Sequence, residues 1–409
     1  MRGGFGERSS RAALAPLILF VLFFGGLLTP TLTFGCPSCG TQYQRGDANA
    51  DGSIDLSDPV RVLLSLFGTG VLPCLDAADA NDDDAVDVSD GVFLLDHLFA
   101  GGAAIPTPAG FCGTDPFSTL GCASYPPCSN LPAGAVPEDW IHGSANCSLN
   151  NDPPFQIEEY DENTFILRQN MCSIFEGPFL YLLFGADKVL LLDSGGVSNP
   201  AISPLRATVD GIIDQWLLAR GQSSIELVVA HTHSHGDHIA GDSQFFGRPN
   251  TSIVGTNLSA VTSFFGISNW PTEEVCYDLG GRVLDIVPIP GHESRHIAIF
   301  DPTTGILLTG DSLYPGFLFV FGQSNWNTYK QSIERLVDFA LARPVIHILG
   351  THVEMTATPG VAYPYGTDFQ PDEHPLRLGM EHLLELHDAL TLLPNPVVEV
   401  HDDFIITGQ

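Results

Sequence analysis

The stretch Ala230-His231-Thr232-His233-Ser234-His235-Gly236-Asp237-His238 constrains this chain more than any other. Four imidazoles and a carboxylate fall within eight positions, directly after the apolar run Leu227-Val228-Val229. A short β-branched run of that kind reads as a buried strand. The histidines therefore stand at a strand's end, ahead of Ile239-Ala240-Gly241, where a helix is expected to start. Imidazole nitrogens and carboxylate oxygens suit zinc and similar divalent ions, and such ligands must converge on a point. His233 and His235 alternate on one side of an extended segment, and Asp237 and His238 turn over the following helix.

Matching elements flank this cluster. Val189-Leu190-Leu191-Leu192-Asp193-Ser194-Gly195-Gly196 precedes it; Pro290-Gly291-His292, Leu308-Thr309-Gly310-Asp311 and Ile348-Leu349-Gly350-Thr351-His352 follow. With His-x-His-x-Asp-His at their centre, these five elements resemble the metallo-β-lactamase fold superfamily, in family order over residues from about 160 to 390. The resemblance implies a four-layer αββα sandwich in an α/β chain. It implies that His233, His235 and His292 hold one metal and that Asp237, His238 and His352 hold a second. Asp311 would bridge them beside a hydroxide, and Asp237 and Asp311 would be the catalytic carboxylates. A carboxylate has the two oxygens that bridging needs, which explains Asp rather than His at position 311. Asp193 is expected beside the site, orienting ligand imidazoles or forming a strand-end turn. His231 and His296 are expected as supporting or structural residues, and Tyr314 as an oxyanion donor or a packed ring.

The activity so implied is that of an exported dinuclear-zinc hydrolase acting on an ester, thioester, lactone or lactam carbonyl. Two alternatives differ in kind. A relative with one iron, on His233, His292 and Asp311, acts on persulfides as a dioxygenase, but has no need of Asp237, His238 and His352. A non-catalytic binding protein has no need of any complete ligand set. Loop departures leave the substrate open: Ala240-Gly241 follows the signature where Gly-Gly is usual, and Glu293-Ser294-Arg295-His296 follows the third histidine. The thioesterase branch, glyoxalase II, holds glutathione with basic C-terminal residues, and no matching set stands here.

Residues 46 to 102 contain a repeat. Asp47, Asn49, Asp51, Ser53, Asp55 and Asp58 recur as Asp79, Asn81, Asp83, Ala85, Asp87 and Asp90. Oxygens at loop positions 1, 3, 5, 9 and 12, with a carbonyl at 7, wrap calcium in an EF-hand-type loop. Gly52 supplies the sharp turn of the first loop, whereas Asp84 stands there in the second. Apolar helix patterns follow at Val60 to Phe67 and Val92 to Phe99. The pattern resembles a dockerin, which implies a small all-α module binding one or two calcium ions and docking to a cohesin-type partner.

The expected organisation is a signal peptide over 1–35, the module over 36–102, a Cys/Pro/Gly-rich linker over 103–151 and the hydrolase domain over 152–409. Arg2, Arg8 and Arg11 before the apolar run Leu14 to Leu28 give the order of a secretory signal, hence a secreted or cell-surface protein. All nine cysteines lie beyond it, and in an exported chain they read as disulfides, the Cys36–Cys39 pair included, with the odd count leaving one unpaired. A net charge of −32 argues against nucleic acid and anionic membranes as partners and leaves a small-molecule substrate.

Overall fold

Strand alternation explains the apolar runs. In a computed structural model, Phe179–Phe184 (β3) sends Phe179, Tyr181 and Leu183 into one core cluster and Leu180, Leu182 and Phe184 into another. Side chains alternate across a strand, so a strand covered on both faces has to be apolar throughout. Phe155–Asp161 (β1), Thr164–Gln169 (β2), β3, Lys188–Leu192 (β4), Glu226–Ala230 (β5) and Thr251–Ile253 (β6) form the first sheet, in that order. The second runs β13-β12-β10-β9-β8-β7. Its strands are Val275–Asp278 (β7), Val283–Pro288 (β8), Ile297–Asp301 (β9), Ile306–Gly310 (β10), His347–Gly350 (β12) and Arg377–Leu378 (β13).

The sheets face each other through Ile166, Leu190 and Val228 of the first and Ile286, Ile299 and Leu308 of the second. The outer face of the first sheet buries Val209, Ile213 and Trp216 from the helix Leu205–Arg220. That of the second buries Trp326, Ile333 and Leu336 from Gln323–Leu341 and Leu383 and Leu386 from Met380–Leu392. Helix, sheet, sheet and helix layers result, the αββα order that the resemblance implied. A further three-stranded sheet, in which Phe317–Val320 (β11) pairs with Ile405–Gly408 (β15) and β15 with Val398–Val400 (β14), was not expected from the sequence. Each of its strands is only three or four residues long, too short for periodicity to register.

The described residues are 43–68, 70–110 and 136–409, Met1, and between 111 and 135 only Cys112, Gly113, Asp115, Ser118, Leu120, Gly121, Cys122, Tyr125, Cys128 and Gly134. Apart from Met1, the expected signal peptide lies outside them, as does the Cys36–Cys39 pair. Among them no helix is long and apolar enough to cross a membrane. Disulfides join Cys74 to Cys122, Cys112 to Cys128 and Cys147 to Cys172.

In the repeat, helices Ser57–Phe67 and Val88–Ala100 pack together, each a few residues longer than its apolar pattern. The loops before them are near copies. Asp47 accepts the N–H groups of Asp51 (3.1 Å) and Gly52 (2.8 Å); Asp79 accepts those of Asp83 (3.1 Å) and Asp84 (3.0 Å). Gly52 has φ +91° and Asp84 φ +63°, so the second loop places a carboxylate residue where the first has a glycine.

Candidate metal centre

Parallel pairing of β4 with β5 aligns Leu192 with Ala230, so Asp193 and His231 leave the sheet side by side. Beyond Ala230 the chain bends through His233 and His235 into a short helix, Gly236–Ile239, that carries Asp237 and His238. Asp311 follows β10, and His352 stands two residues past β12, the parallel neighbour of β10. His292 comes from the turn after β8. Four chain segments thus bring together all seven residues expected as ligands.

They converge as two nests, His233, His235, His292 and Asp311 in one, Asp237, His238, His352 and Asp311 in the other. In the first, His235 Nδ1 lies 2.9 Å from His233 Nε2 and 3.1 Å from His292 Nε2. Asp311 Oδ2 lies 3.8 Å from His233 Nε2 and 3.5 Å from His292 Nε2. In the second, Asp237 Oδ2 is 3.1 Å from both His238 Nε2 and His352 Nε2, and Asp311 Oδ1 is 3.3 and 3.5 Å from them. Ligands about 2.0–2.1 Å from a tetrahedral ion stand about 3.3 Å apart, and these separations bracket that value.

The outer ring nitrogens fix the inner ones. His292 Nδ1 donates to the Phe319 carbonyl at 2.8 Å and His352 Nδ1 to the Glu176 carbonyl at 3.0 Å. Carbonyls only accept, so each ring turns a lone pair on Nε2 toward the centre. His238 Nδ1 lies 3.0 Å from Asp193 Oδ2, with the same consequence. Asp193 is buried and also accepts the Thr232 N–H at 2.8 Å and its hydroxyl at 2.9 Å. Its φ of +65° also places it in a turn, so its geometry suits both expected roles. His238 Nε2 and Asp311 Oδ1 are buried with no hydrogen-bond partner. Polar atoms are rarely left so in a folded protein, and a cation between them would satisfy both.

Three further residues were each expected in one of two roles, and their contacts are those of the structural alternative. His231 supports no ligand directly: its Nε2 meets Asp242 Oδ1 at 2.8 Å, and Ser194 donates to the same oxygen, tying the strand end to the next helical turn. His296 makes no hydrogen bond to a ligand; its ring stacks on His233 with centroids 4.7 Å apart, and burial lowers its pKa to about 3. The Tyr314 hydroxyl donates to the Phe317 carbonyl and lies 3.2 Å from Glu354, so its proton is not aimed at a substrate oxyanion. Thr232, Asp242 and the Glu176 and Phe319 carbonyls escaped sequence reasoning, because backbone acceptors and ordinary polar residues carry no pattern.

Burial, and then the neighbouring imidazoles, hold His233 well below its usual pKa, and burial lowers His292. Burial opposes charge on His352 too, but Asp311 and Asp237 outweigh it and raise the group to about 9. Metal uptake is therefore expected to release a proton near neutral pH and to tighten as pH rises. Through this one group, apparent affinity should fall about tenfold per pH unit below that value. In the metal-free fold the sign is reversed. Protonated His352 adds stability that is complete below its ordinary 6.5 and is lost as pH climbs toward 9. Titration calorimetry of zinc in buffers of different ionisation enthalpy checks the first point. Affinity that does not change with pH over this window would contradict it.

Residues 175–343 match the family model of the metallo-beta-lactamase superfamily. A hydroxyacylglutathione hydrolase of Chromohalobacter salexigens is 29% identical over 145 residues, 35% of this chain and 50% of that protein. One of Rhizobium meliloti is 30% identical over 109 residues, 26% of this chain and 41% of that protein. The chain thus spans half or less of the length of these curated relatives. Among solved structures, a metallo-beta-lactamase from Pontibacter korlensis is 15% identical with a TM-score of 0.39, covering 58% of this chain and 100% of that one.

Proposed function

We propose, on the premise that residues 175–343 are a metallo-β-lactamase superfamily segment, that this chain is an exported dinuclear-zinc hydrolase of esters, thioesters, lactones or lactams. One observation carries the proposal. The two oxygens of Asp311 face different imidazole sets, Oδ2 toward His233 and His292, Oδ1 toward His238 and His352. A single ion would use one set and leave the other a costly buried cluster. Two zinc ions held there supply a nucleophile from water near neutral pH and polarise the scissile carbonyl. The protein's share is orientation: Asp193 and the Glu176 and Phe319 carbonyls fix the rings of His238, His352 and His292. The hydroxyacylglutathione hydrolases among the relatives support a thioester within the substrate range. The disulfides among the described residues support export.

The loops 47–58 and 79–90 would hold calcium. Support comes from Asp58 and Asp90, which burial pushes up to about 6 and which a cation would keep ionised. Exposed Val60, Leu64 and Phe67, with Val92 and Phe99 on the second helix, offer apolar surface for a cohesin-type partner.

Elemental mass spectrometry of the full chain, purified without added metal, tests both parts. Two zinc and one or two calcium per chain are expected, and a single iron would overturn the hydrolase. Asp58→Ala frees the N–H groups of Asn49 and Asp55 from their carboxylate. It should lower calcium content and cost the N-terminal module about 1–3 kcal/mol, with zinc content and turnover kept. Loss of turnover in that variant would show that the loops belong to the active centre.

A further inference from the structure

We infer that the cavity over the metal centre selects acyl substrates that carry an aromatic group and no carboxylate, an inference that rests on the hydrolase reading. The cavity has a volume of about 550 Å³, and its floor includes His235, Asp237, His292, Asp311 and His352. That size suits a ligand of drug-like dimensions.

One wall is aromatic because of a strand. In β11, Leu318 and Val320 are buried in the core, so alternation turns Phe317 and Phe319 the other way, into the cavity. Phe321 continues the row just past the strand. The rings of Phe317 and Phe319 stand 5.9 Å apart, and Phe319 and Phe321, also 5.9 Å apart, are stacked within 9°. Tyr365 closes the row edge-on to Phe319 at 6.0 Å. Phe321 is 53% and Tyr365 65% exposed, and a run of exposed aromatics beside a reactive centre marks a binding surface. The same strand sets its distance from the chemistry, since the Phe319 carbonyl anchors His292. A ring laid on this wall therefore has a fixed offset from the metal centre.

Charge decides the second half. Among the described residues the cavity lining contains no Lys or Arg, and Glu176 and Glu354 join Asp237 and Asp311 in it. Three basic side chains elsewhere are engaged: Arg168 on Glu373, Arg295 on Glu293 and Lys330 on the Leu393 carbonyl. These four carboxylates can balance the charge of two divalent ions, so a carboxylate on the substrate finds no unspent cation and several like charges. Discrimination of this kind comes from the repulsive element as much as from the attractive one.

The test uses the zinc-loaded full chain and three thioesters: phenylacetyl-N-acetylcysteamine, acetyl-N-acetylcysteamine and S-phenylacetylglutathione. The first and third share the acyl group and scissile bond, and differ in the thiol, N-acetylcysteamine being small and uncharged and glutathione a tripeptide with two carboxylates and one ammonium. The uncharged phenylacetyl thioester should exceed each of the others about tenfold or more in kcat/KM. Phe321→Ala should shrink the phenylacetyl-to-acetyl preference through KM, and Glu176→Gln should narrow the gap to the glutathione thioester. A faster glutathione thioester, or equal rates for phenylacetyl and acetyl, overturns this inference and leaves the hydrolase standing. No turnover of any of the three with two metals bound overturns the hydrolase reading, and this inference with it.

Discussion

Asp311→Ala is expected to leave the chain with one zinc or none and to lower kcat/KM by about 10³-fold or more, the several kcal/mol that metal assistance supplies. Among the described residues, Asp311 is the one carboxylate whose oxygens reach both nests. Nothing nearby replaces it, because Asp237 faces only His238 and His352. Burial resists its charge, yet His238, His352 and His292 keep it ionised well below the ordinary carboxylate range, so the acceptor is ready at any working pH. Removing it leaves those imidazoles without their shared counter-charge and gives each ion one ligand fewer. Elemental analysis with turnover of an activated thioester reads both effects, and circular dichroism checks that the fold persists. Two zinc ions retained at full activity would remove the bridging role.

Asp193→Asn should weaken zinc binding by about 10–100-fold, the usual cost of removing the partner that orients a ligand imidazole. Asparagine tolerates φ +65° as well as aspartate does, so the turn survives and the chemistry alone changes. The carboxylate now accepts from the Thr232 N–H, the Thr232 hydroxyl and His238 Nδ1 together. An amide offers one accepting oxygen and turns N–H donors toward the rest. His238 is then pressed toward the wrong tautomer, with a hydrogen on the nitrogen that should face the ion. Asp193→Ala makes a useful contrast, since it adds backbone strain to the loss of the acceptor. Competition with a chromogenic chelator gives the affinities. Wild-type affinity in the asparagine variant would show that Asp193 is a turn former and nothing more.

Sequence alone located nearly everything that carries a periodic or compositional signature. The apolar run at 227–229 announced a buried strand, and the structure has Glu226–Ala230 there. The seven nest residues were legible through the resemblance to the metallo-β-lactamase superfamily, whose elements set recognisable neighbours beside them, as Gly291 is to His292 and Gly310 to Asp311. His231 was harder to place. In the sequence it stands in step with His233, and only the folded chain shows its ring turned to Asp242.

What the sequence determined was therefore the inventory: which side chains could hold ions, and roughly where each leaves its strand. What only the tertiary structure decided was direction and company. The Phe319 carbonyl reaches His292 because β11 pairs in register with β15, a contact between segments more than eighty residues apart. The aromatic wall exists for the same reason, since that pairing decides which face of Phe317 and Phe319 meets the cavity. Backbone acceptors and cavity walls arise from residues far apart in the chain, and such long-range pairing leaves no local trace in a sequence.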